Sequence, residues 1–217
     1  MHTRVGDALL KAKITWSAAV FDAGVCGYTV SLTTVPPRFL VLDLLISRLN
    51  ALDARVRPVE VIVTVSETYR RFGRVSAEQL GWLRQRGVRL IVTDDHGPVD
   101  KVRGVLEAHT DVTLVVDDER YLHDGVFYAT CTHAQTIGQV QLRHAGNIPW
   151  PSFSRTQNFM GSHGYVLHKV PHILHEVLNH TAQANSVFGL FEDDLWISCI
   201  VQKRHRIPVV RMHVDAS

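Results

Sequence analysis

The chain is 217 residues long, 46% hydrophobic and 20% charged, which supplies a sizeable core and is too apolar for a disordered chain. A formal net charge of +2 is too small to direct it to nucleic acid or an anionic membrane, although 13 histidines make that charge pH-dependent. No run nears the ~20 apolar residues of a membrane span, and Ile14 to Phe21 is too short and mixed for a signal peptide.

Residues 1–26 hold one or two helical turns around Ala8 and form an N-terminal arm, packed back or reaching toward a partner. Gly27 to Thr34 is rich in β-branched and aromatic residues and reads as a first strand, ended by Val35-Pro36-Pro37-Arg38. Leu42, Leu45, Ile46, Leu49 and Leu52 recur at helical spacing over Phe39 to Leu52. Val59 to Val65 is a nearly continuous apolar strand, as expected where both faces are covered. Ser66 to Gly73 reads as a polar loop. Ser76 is the N-cap of a helix that reaches Arg86 and stops at Gly87. Val88 to Val92 is a third strand, Val99 to His109 a short helix, and Val112 to Val116 a fourth strand. Alternating strands and helices with short connections predict a mostly parallel sheet with right-handed crossovers.

The alternation then stops. Val126 to Thr130 and Ile137 to Leu142 read as strands, the second with one wet face, and Asn147 to Phe159 as a long loop. Tyr165 to Leu167 is a short strand, Pro171 to His180 a helix, and Phe188 to Gln202 a loop turning helical at Asp193 or Asp194. Ile207 to Met212 closes as a strand. The whole is an α/β, Rossmann-like single domain over residues 27–217, with a parallel, nucleotide-type half (27–121) and a mixed, loop-rich half (122–217). Cys26, Cys131 and Cys199 are far apart and form no Cys-x-x-Cys pair, so the expected compartment is reducing and cytoplasmic. Oligomeric state is left open.

The chemistry gathers at Thr113 to Tyr121, where a strand runs into Asp117, Asp118 and Glu119. Adjacent carboxylates repel, so a cation is expected among them; the alternative is a solvated acidic turn. Residues two apart share a face of an extended segment, so Asp117 and Glu119 face the metal and Asp118 faces away, toward the donor. Oxygen ligands suit Mg²⁺ or Mn²⁺, with phosphate and water completing the shell. If the strands are parallel, the loops after all four share one edge, where an α/β sheet binds ligands. Those loops bring Thr33, Thr34, Arg38, Ser66, Asp95 and Lys101, hydroxyls, carboxylate and cations suited to a nucleotide; Arg38 and Lys101 also read as plain surface cations. A second cluster, Glu192, Asp193 and Asp194, opens the late helix. It is either a dipole-stabilised helix start or the general base for an acceptor hydroxyl. A receiver domain is ruled out by the absence of aspartate between Asp124 and Asp193, and Glu119 and Tyr121 fit a dehalogenase-type phosphatase poorly.

Four segments in order carry a resemblance: Val30-Ser-Leu-Thr-Thr-Val-Pro-Pro-Arg-Phe39, Asp95-His-Gly-Pro-Val-Asp-Lys101, Val116-Asp-Asp-Glu-Arg-Tyr121 and Glu192-Asp-Asp-Leu-Trp-Ile-Ser198. Together they resemble small nucleotide-sugar glycosyltransferases of the GT-A fold, similar to the glycosyltransferase domain of large algal viruses. The resemblance implies sugar transfer from a nucleotide diphosphate sugar to a glycan or other hydroxyl acceptor with Mn²⁺ or Mg²⁺. It implies Thr33, Arg38 and Asp95 at the nucleoside, Lys101 near the phosphates, and Asp117 to Glu119 in place of an Asp-x-Asp motif whose third acid is here Glu119. Asp193 matches the acceptor-side catalytic acid, with Asp194 or Glu192 as substitutes. His163 is a candidate acceptor residue, and the resemblance allows His213 to complete a metal shell. His168, His172 and His175 are at helical spacing, with Pro171 against one continuous helix. The rivals are a nucleotidyltransferase, disfavoured by Val-Pro-Pro-Arg where a glycine-rich loop is wanted, and a catalytically inactive nucleotide- or sugar-binding module.

Overall fold

The computed structural model describes residues 26–118, 122, 124–143, 164–181 and 193–205. Strands β1 (Tyr28–Thr33), β2 (Glu60–Ser66), β5 (Arg89–Thr93), β6 (Val112–Val115) and β7 (Tyr165–His168) form one sheet in the order β5-β2-β1-β6-β7. The first four are mutually parallel, with Val30 level with Val61 and Leu114, and β7 runs antiparallel to β6, with Tyr165 level with Val115. The chain therefore walks outward from β1 through β2 to β5, then jumps back across β1 to β6. That reversal opens a crevice between the carboxyl ends of β1 and β6, the place where open α/β sheets take their ligands.

Strand alternation explains the two layers that cover the sheet. Tyr28, Val30 and Leu32 of β1, Val63 and Val65 of β2, and Val112 and Leu114 of β6 enter one core. Helix α1 (Phe39–Ala51) closes it with Leu42, Ile46 and Leu49. The other face carries Val115, Tyr165 and Leu167, packed with helices α3 (Lys101–Glu107), α5 (Pro171–Asn179) and α6 (Asp193–Ser198) through Val102, Val105, Ile173, Val177 and Ile197. On that face β1 offers only hydroxyls, Thr29 and Ser31, both fully buried. Ser31 donates from Oγ to the carbonyl oxygen of Lys101 at 2.6 Å, and Gly104 lies so close that a Cβ there would stand 2.0 Å from Ser31 Oγ. Helix α3 can rest on the central strand because neither partner has bulk.

Helix α2 (Ala77–Gln85) begins in a capping box, Ser76 accepting from the Gln79 amide and Gln79 from the Ser76 amide; Gly87 beyond its end takes φ 74°. The expected loop from Ser66 to Gly73 contains a short hairpin, β3 (Thr68–Tyr69) against β4 (Gly73–Arg74). Its Tyr69 hydroxyl donates to the carbonyl of Thr34 and accepts from the Ser66 amide, so it joins the loops after β1 and β2. The helix expected from Val99 splits into a 3-10 turn at Pro98–Asp100 and α3.

The larger correction lies at 126–130 and 137–142. Both expected strands belong to helix α4 (Asp124–Arg143). Phe127, Thr130, Cys131 and Ala134 are buried at spacings of three and four, a helical stripe. Five or six apolar residues are too few to tell a buried helix from a strand, and here length decides. Cys131 on α4 forms a disulfide with Cys26, their Cα atoms 5.3 Å apart, while Cys199 is a free thiol. A reducing compartment therefore no longer follows from the cysteine pattern. No helix among the described residues is long and apolar enough to cross a membrane. The expected loop at 147–159, the strand at 207–212 and all of the arm except Cys26 lie outside the described residues, as do Glu119, Glu192, His163 and His213.

Candidate functional site

Two charge clusters sit side by side at the carboxyl edge, one centred on Asp118 and one on Lys101. Asp118, 3% exposed, accepts from Thr34 Oγ1 at 2.5 Å and pairs with Arg38 Nη1 at 3.1 Å. Both partners come from the segment that leaves β1, so the prolines that end that strand also turn Arg38 back across the crevice. A carboxylate this buried needs such partners, because removing it from water without them costs several kcal/mol.

Asp117, one residue earlier, points elsewhere. Its Oδ1 accepts from Lys101 Nζ at 2.9 Å. The same ammonium lies 2.9 Å from Asp193 Oδ2 and 3.0 Å from Asp194 Oδ1. Lys101 is 1% exposed, and the Tyr165 ring stands with its centre 5.8 Å from Nζ. Four segments meet here: the end of β6, the start of α3, the start of α6 and the first residue of β7. Among the described residues, the cations beside the adjacent acids are the protein's own, Lys101 at Asp117 and Arg38 at Asp118.

The electrostatics follow from that crowding. Burial works against the charge on Lys101, but Asp193, Asp194 and Asp117 outweigh it and hold the lysine well above its ordinary pKa. Burial pushes the Tyr165 phenol well up, so the ring is neutral near pH 7 and the carboxylates do the holding. Asp193 is raised from 3.8 to about 6, by burial first and then by its acidic neighbours, against the pull of Lys101. Three carboxylates thus share this ammonium.

The other expected site residues are placed differently. Thr33 Oγ1 is spent on the Thr64 carbonyl, 2.8 Å away, and reinforces the strands instead of facing the crevice. Ser66 is buried, its amide on the Tyr69 hydroxyl. Asp95 accepts from the amides of Arg70 and Gly97, fixing the hairpin tip to the loop after β5. Lys101, read as a surface cation or a phosphate ligand, is instead an interior ion. The sequence carried a signal for this: Val102 and Val105 make the buried stripe of α3, and Lys101 lies on that stripe. Asp100, buried and paired with Arg103, and Tyr165 were not foreseen; nothing local in the sequence marks either one. His168 ends β7, while His172 on α5 meets His205 edge to face, away from the acids.

A divalent ion fits this edge only in part. No three His, Cys, Asp or Glu side chains among the described residues form a ready cage for it. Magnesium-type sites, however, use one or two carboxylates and complete the shell with substrate phosphate and water. Asp117 suits that role: it is 31% exposed, with Oδ1 on Lys101. No protein-family model and no curated protein matches the chain.

Proposed function

We propose that the protein is a glycosyltransferase that moves a sugar from a nucleotide diphosphate sugar to an acceptor hydroxyl, on a GT-A-like domain, with Mn²⁺ or Mg²⁺. The observation that carries this reading is the meeting of Asp117 with Asp193 and Asp194 around buried Lys101, at the switch point of a β5-β2-β1-β6-β7 sheet. A parallel nucleotide-type half ending in acids, joined to late acids beside an antiparallel strand, supplies donor and acceptor groups at one edge. The resemblance of the four motifs to GT-A enzymes supports the same reading.

In it, Arg38 and Thr34 hold Asp118 in place beneath the nucleoside, and Asp117 would hold the divalent ion. When bound, that ion supplies Lewis-acid neutralisation of the departing diphosphate. Asp193 takes the proton of the acceptor hydroxyl as its oxygen bonds to the anomeric carbon and the bond from that carbon to the phosphate oxygen breaks. A carboxyl raised to about 6 is a stronger base than an ordinary aspartate and is still mostly ionised near pH 7.

The test is donor hydrolysis over a panel of uridine, guanosine and other nucleotide sugars, with Mn²⁺ or with chelator. Slow release of free sugar is expected with Mn²⁺, falling at least 100-fold in Asp193→Asn and to the chelator level in Asp117→Ala. Nucleotide-sugar binding without turnover would assign an inactive binding module, and no binding at all would end the transferase reading.

A further inference from the structure

We propose that Lys101 is a positioning residue: it ties the donor-side acid Asp117 to the acceptor-side acids Asp193 and Asp194, and so sets where the base stands. The role of the base rests on the transferase reading; the tie itself does not.

Four features carry the inference. The ammonium is 1% exposed, so it is not offered to an incoming ligand as a surface cation is. Its three partners come from two elements far apart in the chain, the end of β6 and the start of α6, all within 3.0 Å. The root of the side chain is fixed, because Ser31 of the central strand holds the Lys101 carbonyl and Gly104 lets α3 lie against that serine. The Tyr165 ring beside Nζ comes from β7, the edge strand antiparallel to β6. A lysine held at its backbone and surrounded at its tip has little freedom to serve a phosphate.

Other contacts of α6 and the segment after it stay within one layer. Ile197, Ile200 and Val201 pack into the core beneath α5, and Trp196 Nε1 donates to the Val177 carbonyl at 3.1 Å. These fix the helix to its own layer. Lys101 pairs with Asp193 and Asp194 of α6 and with Asp117 beyond β6, so its ammonium is a charged link between the two. Without it three carboxylates would face one another across a gap too narrow for full hydration, and the amino end of α6 would be pushed outward.

The experiment is hydrogen exchange on the full chain, compared with kinetics on the same proteins. In Lys101→Met, amides of residues 197–201 should exchange at least tenfold faster while those of β1 and β2 stay within threefold. Adding Asp194→Asn to Lys101→Met removes one repelling charge and should recover at least threefold of that loss. Turnover should fall at least 100-fold in Lys101→Met with the KM for donor changed less than threefold. Unchanged exchange at 197–201 would overturn the tie, and a raised donor KM with turnover intact would make the lysine a phosphate clamp. If Lys101→Met does not fold, Asp117→Asn serves instead. It cuts the tie at its β6 end, so exchange at 197–201 should rise at least threefold, and unchanged exchange there would overturn the proposal. Exchange needs no substrate, so a wild-type chain that turns over no nucleotide sugar sinks the transferase reading and leaves the tie to be judged separately.

Discussion

Asp193→Asn should make the protein more stable at neutral pH while removing the proposed base. Asp193 is 10% exposed, and its carboxyl is raised from 3.8 to about 6. The sign runs opposite to that of a well-paired aspartate. With the folded pKa above the unfolded one, the native state holds its proton longer, so stability falls as pH rises from 3.8 to about 6 and is level above that. The gap corresponds to about 3 kcal/mol in full, most of which a comparison of pH 4 with pH 8 captures. An asparagine does not titrate and escapes this cost. Urea unfolding of both proteins at the two pH values is the assay. The variant should gain about 2–3 kcal/mol on the wild type between pH 4 and pH 8, a relative midpoint shift of about 1 M for a urea slope of about 2–3 kcal/mol/M. A difference that stays constant with pH would refute the premise that Asp193 is charged against its surroundings. A variant that loses ground at pH 8 would show instead that Lys101 more than repays the burial.

Three further outcomes test other parts of the structure. Gly104→Ala places a Cβ 2.0 Å from Ser31 Oγ and should cost about 1–3 kcal/mol by forcing α3 off the central strand; Ser31→Gly in the same chain should restore most of it in thermal unfolding. Thr34→Val keeps the shape but takes a hydrogen bond from buried Asp118, an expected loss of about 1–3 kcal/mol in chemical denaturation, and a change under 0.5 kcal/mol would mean Arg38 alone suffices. Cys26→Ser opens a bridge that closes a separation of 105 residues, which the chain-entropy account values at about 4–5 kcal/mol. Unfolding midpoints that do not respond to reductant in the wild type would show that the bridge is not formed.

The first half of the fold was legible because each element states its own period. Val59 to Val65 cannot be a helix covered on one side, and Ser76 with Gln79 announces a helix start. Once the four strands are parallel, the shared edge follows without further information. The second half failed where apolar runs were short: Val126 to Thr130 satisfies either period, and burial against β1, a long-range fact, decides for α4. The Cys26–Cys131 bridge is of the same kind, since it depends on α4 lying beside the entry to β1. Asp117, Asp118 and Asp193 could be named from sequence because acids after an apolar strand, or before an apolar helix, stand out locally. Lys101 could be named too, but not its pairing with Asp117 and Asp193, because nothing in Pro98 to Val105 says what charge will stand opposite it.

The antiparallel pairing of β7 against β6 has a consequence for how the molecule is assembled. Tyr165 and Leu167 face α3 while Val166 looks into the opposite core, and β7 has only four residues with which to fix this choice. A slip by a single position would exchange the two faces, present an aliphatic branch to the ammonium in place of the phenol ring, and put that ring among Leu114 and its neighbours. Gly164, with φ 74°, and Lys169, whose amide and ammonium reach the carbonyls of Asp111 and Ala108, clamp the strand at either end against that error. Correct seating of one short ribbon thus decides whether the late-arriving acids find a counterion waiting for them.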